Sequence, residues 1–409
     1  MSGLVLSDIK NFEAIAQLGT DVVSLAQGAL RIGGVDQAIK NYVKEILDTD
    51  LADYYSPGLG LPELRAVLAQ QLSEQGQCSV SVRNVMISHG SMGGIVTVLR
   101  AVLSPGDHVL LPDPTYVSYY NLIHVAHAQP ISVPAFVNSE SGWIFDIEVI
   151  KKSITAQTRA ILIANPSNPL GICLTKVQMI ELAELAQFHG IYLIIDEVYE
   201  NYIFEGEFCS ATSYAVTNPF VIRAGSFSKN FGMSGWRVGY VIASEDIINL
   251  CVPIQDIYLG NPVAIAQYAA LYALKNPQLL VQAHNAVKQC RAITLAALEP
   301  LNERGILKFE KPASGLYIFA KTKENDATEL AREILHLAHV AVVPGRGFSP
   351  RTSGYLRICF ARDPQVLALG LARLTKFFKQ PVDIETILLS AQKFEQKLVQ
   401  EFAVQQESR

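Results

Sequence analysis

Lys229 stands in unusual company for a lysine. The stretch Ser226-Phe227-Ser228-Lys229-Asn230-Phe231-Gly232-Met233-Ser234-Gly235-Trp236-Arg237-Val238-Gly239 follows an apolar run. It sets Lys229 among small hydroxyl residues, with Arg237 eight positions on, among glycines. A lysine amine can form a Schiff base with a cofactor aldehyde. At its ordinary pKa of about 10.4 the amine is protonated, so a reactive lysine needs desolvation or a nearby cation. Arg237 offers that cation and a planar fork suited to a phosphate, with the Ser226 hydroxyl as a further donor. A lone lysine in a Gly/Ser loop reads as a surface residue, but the whole window points to chemistry.

Other segments carry compatible groups. Asn165-Pro166-Ser167-Asn168-Pro169-Leu170-Gly171 follows the run 160–164, and Asp196-Glu197-Val198-Tyr199 leaves the run 191–195. In open α/β sheets, ligands bind beyond the carboxyl ends of such strands. Ser88-His89-Gly90-Ser91-Met92-Gly93-Gly94 leads into a helix, whose first amides form a ready phosphate site. Pro112-Asp113-Pro114-Thr115-Tyr116 places an aromatic just after another run. Arg357 lies inside the apolar run 355–360, where a guanidinium is costly unless paired; a carboxylate is its natural bidentate partner.

Taken in order, these segments resemble the class I aminotransferases, fold-type-I enzymes that use pyridoxal 5′-phosphate (PLP), from about Gly28 to Phe360. The resemblance implies a PLP Schiff base at Lys229, with Asp196 and Tyr199 completing the catalytic set. Asp196 is expected to keep the pyridine nitrogen protonated. Asn168 and Tyr199 reach the phenolic oxygen, and Tyr116 stacks on the ring. Gly90, Ser91, Met92, Ser226 and Arg237 hold the phosphate. Tyr55, in Tyr55-Ser56-Pro57-Gly58-Leu59-Gly60-Leu61-Pro62-Glu63-Leu64-Arg65, reaches the phosphate of a partner subunit in a homodimer. Gly28, Asn168 and Arg357 bind the substrate. The implied reaction is ping-pong transamination between an L-amino acid and a 2-oxo acid. A β-eliminating C–S lyase uses the same cofactor shell and stands as the alternative. A PLP-sensing regulator would need a DNA-binding domain ahead of Tyr55, and an inactive relative would normally lose the lysine.

Three departures from the family's pattern stand out, the last two bearing on specificity. His89 replaces a small residue, and Ala29-Leu30-Arg31-Ile32-Gly33-Gly34 departs from the family's pattern after Gly28. Residues 253–262 lack the arginine with which aspartate-specific relatives bind a side-chain carboxylate; Asp256 and Tyr258 occur there instead. Poor discrimination in favour of aspartate is expected.

Seven short runs rich in Val, Ile and Leu must position these groups: 84–88, 108–112, 130–133, 160–164, 191–195, 220–223 and 238–243. They are continuous rather than alternating, as in strands covered on both faces. Thr175–His189 reads as a helix between a Thr cap and Gly190. The expected class is α/β: a large domain with a mostly parallel seven-stranded sheet, and a smaller α+β domain. Residues 1–48 contribute to the small domain, 49–290 form the large one and 291–409 complete the small one. Strands are expected at 315–320, 340–344 and 355–360, and helices over 262–298, 327–336, 363–379 and the charged tail from residue 383.

A formal charge of −5 gives no basic field for nucleic acid or an anionic membrane. Six scattered cysteines without a C-x-x-C pair argue against a disulfide framework or metal site. Asp8 and Glu13 interrupt any signal-peptide-like start, and no apolar run approaches the ~20 residues of a membrane span. The expectation is a cytoplasmic protein acting on small molecules, without a metal.

Overall fold

The computed structural model describes residues 21–139 and 142–379. They form two compact units, the larger being Ala29–Asn285 with Ala313–Gly315. The smaller comprises 21–28, Ala286–Pro312 and 316–379. In the larger unit the continuous apolar runs become β1 Val85–Ser88, β2 His108–Pro112, β3 Gln129–Val133, β4 Thr158–Ala164, β5 Tyr192–Asp196, β6 Val221–Ser226 and β7 Gly239–Ile242. Their order in one sheet is β1-β7-β6-β5-β4-β2-β3. β7 is antiparallel to both neighbours, and every other pairing is parallel. This is the mostly parallel seven-stranded sheet expected from the runs.

Except in the edge strand β3, where Gln129 and Ser132 are exposed, successive side chains of the strands enter different cores. Ile87, Leu110, Ile161, Leu193 and Ile195 belong to one cluster, and Met86, Val109, Leu162, Ile194 and Ile222 to another. Both faces of these inner strands are therefore dry, which is why their runs do not alternate. Cover comes from α1 Pro62–Gly76, α2 Gly90–Val102, α3 Lys176–His189, α4 Glu245–Leu259 and α5 Ala264–Lys275. Thr175 and Gln178 close a capping box on α3, and Gly190 ends it at φ 64°.

The smaller unit holds β8 Tyr317–Lys321, β9 Val343–Pro344 and β10 Tyr355–Cys359 in an antiparallel sheet of order β8-β10-β9, with helix α6 Pro364–Lys379. The single strand expected over 340–344 is instead two. Val340–Ala341 pairs with Val23–Ser24, whereas β9 pairs with β10, so the chain changes sheets at Val342. Such a change of partner needs a break in the ladder, which uniform apolarity does not reveal. The pair Phe136–Ser139 and Gly142–Phe145 was also not expected. Its four-residue strands are too short to show a period. The charged tail from residue 383 lies outside the described residues. No helix among the described residues is long and apolar enough to cross a membrane.

Candidate active site

β5 ends on Asp196, which is in register with Ala164 of β4 and Ala224 of β6. Asn165 donates its amide to the Asp196 carbonyl at 2.9 Å, joining the Asn-Pro turn to this strand end. Asn165 Oδ1 accepts the Leu174 amide at 2.9 Å, and Ser167 bonds across to Ile172. Asn168 and Tyr199 are both buried here.

The Asp196 carboxylate is 3% exposed. Its Oδ2 accepts the Tyr119 hydroxyl at 2.8 Å, but its buried Oδ1 has no hydrogen-bond partner. Burial pushes its pKa up from 3.8 to about 6, against the pull of Tyr119, the Val198 amide and the Lys229 charge. A buried acceptor left without a donor costs ~1–3 kcal/mol, and more when charged. The sequence does not single out Tyr119, whose signal was its place three residues after Tyr116. The two rings meet edge-on, with centroids 5.5 Å apart.

β6 delivers the lysine. The Ser226 hydroxyl accepts the Ser228 amide at 3.1 Å and caps the single turn Phe227–Asn230. Lys229 is half-buried on that turn. Its carbonyl accepts the hydroxyl of buried Tyr202 at 2.7 Å, another contact the sequence does not announce.

At the start of α2, His89 gives no side-chain cap, so the first amides remain available. Gly90 has φ 70°, and a Cβ there would lie 2.5 Å from Arg237 Nη2. Glycine is required on both counts. Arg237 donates to the Ser234 carbonyl at 2.8 Å and, at longer range, to the Ser228 hydroxyl and the His89 carbonyl. It remains exposed, Ser91 is buried and Met92 half-buried. Burial first, and Arg237 second, hold the His89 imidazole below its usual pKa. A guanidinium facing uncapped helix amides suits a phosphate.

A second charged cluster adjoins these strand ends. Arg223 of β6 lies 2.6 Å from Glu197, off the N–H direction, and also contacts Glu200. Its Nη1 donates to Thr212 at 2.7 Å, while the Tyr240 hydroxyl donates to Glu200 at 3.1 Å. Among the described residues no group of His, Cys, Asp and Glu could hold a metal ion.

In the smaller unit, Arg357 of β10 is 1% exposed and donates to the Ala26 carbonyl at 2.7 Å. Its guanidinium lies 4.1 Å from the Tyr317 ring centroid and 4.8 Å from that of Phe348. Gly28 is equally constrained, since a Cβ would fall 1.7 Å from the Tyr317 hydroxyl. Gly28 and Arg357 thus meet at Tyr317, a residue the sequence reading overlooks. Tyr55, in the larger unit, is 94% exposed.

A family model described as aminotransferase class I and II matches residues 20–374. The chain belongs to this family. Aspartate aminotransferase of Pyrococcus abyssi is 34% identical over 378 residues, covering 91% of this chain and 96% of the relative. An aspartate aminotransferase from Thermus thermophilus, solved with maleate, superposes with a TM-score of 0.83 at 28% identity, over 92% and 100% of the two chains. An aromatic aminotransferase from Pyrococcus horikoshii gives 0.80 at 32% identity, over 90% and 98%. This family member is a PLP-dependent aminotransferase with the fold-type-I architecture. Its residues fit the cofactor: the open Oδ1 of Asp196 suits a ring N–H, and the Gly90–Arg237 cradle suits a phosphate.

Proposed function

We propose that Lys229 binds PLP covalently and that its freed amine moves the proton from the substrate's Cα. When bound, PLP supplies an aldehyde for amine exchange and a ring that stores the electron pair released at Cα. Asp196 keeps the ring nitrogen protonated through Oδ1, while Tyr119 orients the carboxylate from the other oxygen. The buried, partnerless Oδ1 beside Lys229 is the observation that carries this reading. Asn168 and Tyr199 hold the phenolic oxygen, and Tyr116 covers the ring. Arg237, Ser226 and the backbone of Gly90, Ser91 and Met92 hold the phosphate. Arg357, with Gly28 and Asn168, receives the α-carboxylate.

The matched relatives are named for aspartate, aromatic amino acids and aspartate or prephenate, and they favour transamination over β-elimination. For the donor we favour a neutral or aromatic amino acid over aspartate, because 253–262 lacks an arginine. Asp256 is exposed there, and Tyr258 is engaged by Arg100, whose guanidinium lies 4.7 Å from the ring centroid. We assign a homodimer in which Tyr55 serves the partner's phosphate. Supporting it, Leu47, Tyr54, Tyr55 and Ile257 are large apolar groups left exposed in two segments joined by Asn261–Ser56 and Ser56–Pro262 hydrogen bonds. All six cysteines are free, which suits the cytoplasm.

The purified protein should be yellow, and borohydride should fix the cofactor to the peptide containing Lys229. Fixation to another lysine overturns the assignment.

A further inference from the structure

The segment that ends at Tyr55 combines an exposed tip with a buried, heavily bonded base. Tyr54 and Tyr55 project from the surface, yet Ser56 immediately after them is buried. The Ser56 hydroxyl donates to the Pro262 carbonyl at 2.8 Å and accepts Gln267 Nε2 at 2.9 Å. Asn261 Nδ2 donates to the Ser56 carbonyl at 2.6 Å. Gln267, wholly buried on α5, also accepts the Leu61 amide at 2.8 Å. Gln255 of α4 donates to Gly58 and, at 3.0 Å, to Ile87 of β1. Gly60 completes the fit: its φ is 94°, and a Cβ would meet Ile87 at 2.3 Å and Gln267 Oε1 at 2.8 Å.

Burying amide side chains is unfavourable unless they are bonded, and here they bond mainly to one loop. A loop fixed in this way loses little freedom when its tip engages a partner, so more of the contact energy appears as affinity. We infer that Gln267, with Asn261, is a positioning residue acting in trans: it holds Tyr55 in the geometry that reaches the cofactor phosphate of the neighbouring subunit. The inference rests on the proposed role of Tyr55 and adds the residues that set its aim.

The test is a double-mutant cycle on PLP affinity, measured by titrating the dimeric enzyme with PLP. Tyr55→Phe is expected to raise the dissociation constant, and Gln267→Leu to raise it about 5- to 10-fold, the worth of a well-placed hydrogen bond. In the Tyr55→Phe background, Gln267→Leu should add little, because both act through one hydroxyl. Heterodimers of a Lys229→Ala subunit with a Gln267→Leu subunit should regain normal affinity at the lysine-bearing site, whose arm comes from the intact partner loop. If that site stays weak, Gln267 acts within its own subunit and the inference is overturned. Additive effects of Tyr55→Phe and Gln267→Leu overturn it equally. If Tyr55→Phe alone leaves affinity unchanged, the underlying role of Tyr55 fails instead. Should Gln267→Leu not fold, Asn261→Ala removes one hydrogen bond to the same loop, and the same cycle and heterodimer decide.

Discussion

Asp196 and Glu197 are adjacent, and both carboxylates are buried, yet their surroundings differ in kind. Glu197 is well surrounded: the Arg223 guanidinium lies 2.6 Å away as an ion pair, and the Ser210 hydroxyl at 2.7 Å and the Ala211 amide at 2.6 Å donate to it. Asp196 accepts the Tyr119 hydroxyl on Oδ2 and feels the Val198 amide, but its Oδ1 has no hydrogen-bond partner. Burial pushes both pKa values up, Asp196 to about 6 and Glu197 to about 7, with Arg223 opposing the rise at Glu197. Glu197 is paired with an opposite charge within the fold, whereas Asp196 Oδ1 is the atom proposed to meet the cofactor. Closed networks of buried charge hold strand ends in place, whereas an open buried charge marks where chemistry is to happen.

The contrast can be tested from both sides. The largest effect is expected for Asp196→Asn, which removes the charge partner proposed for the ring: kcat should fall by about 10²–10³ or more, since one preorganised electrostatic partner is worth ~2.7–4 kcal/mol in the transition state. Turnover near that of the wild type would remove Asp196 from the mechanism. Arg223→Met should instead act on stability, costing about 3–5 kcal/mol in urea unfolding of the apo-protein, because it strands the buried carboxylate of Glu197 and the half-buried one of Glu200. The loss should deepen as pH rises above about 7, where Glu197 can no longer escape by holding a proton. An unchanged unfolding midpoint would mean the cluster is not a closed structural unit. Arg357→Lys should have the smallest effect, about tenfold in kcat/KM, because the charge is kept but the planar fork is lost. A similar fall for every amino-acid donor supports a carboxylate clamp, while loss confined to one side-chain class would make Arg357 a side-chain reader.

The sequence is most legible where one element carries the whole signal. Most of the seven runs mark the sheet because their central residues are apolar and buried on both faces. Lys229, Asp196 and Gly90 stand out because the roles proposed for them rest on motifs formed with neighbours in the chain. Contacts assembled across elements are hidden. Tyr119 reaches Asp196 over 77 positions, and Tyr202 reaches the Lys229 carbonyl over 27. Arg223 reads as one polar interruption in an apolar strand until Glu197, Glu200 and Tyr240 close around it. Likewise, Gln267 has no motif to announce it, because its partners at Ser56 and Leu61 lie more than 200 positions away.

The most direct measurement compares the unfolding free energies of wild type and Asp196→Asn, without and with PLP, from pH 4 to pH 8. In the apo-protein Asp196 holds its proton more tightly when folded than when unfolded. Its stability is therefore full below pH 3.8 and falls as pH rises through about 6. That fall amounts to about 3 kcal/mol, the free energy of the pKa difference. The account predicts that apo Asp196→Asn is more stable than apo wild type at pH 8 and loses that advantage at pH 4. It also predicts that added PLP reverses the order at pH 8. A mutant less stable than wild type at pH 8 in the absence of PLP would contradict the claim that Asp196 is a buried charge left open for the cofactor.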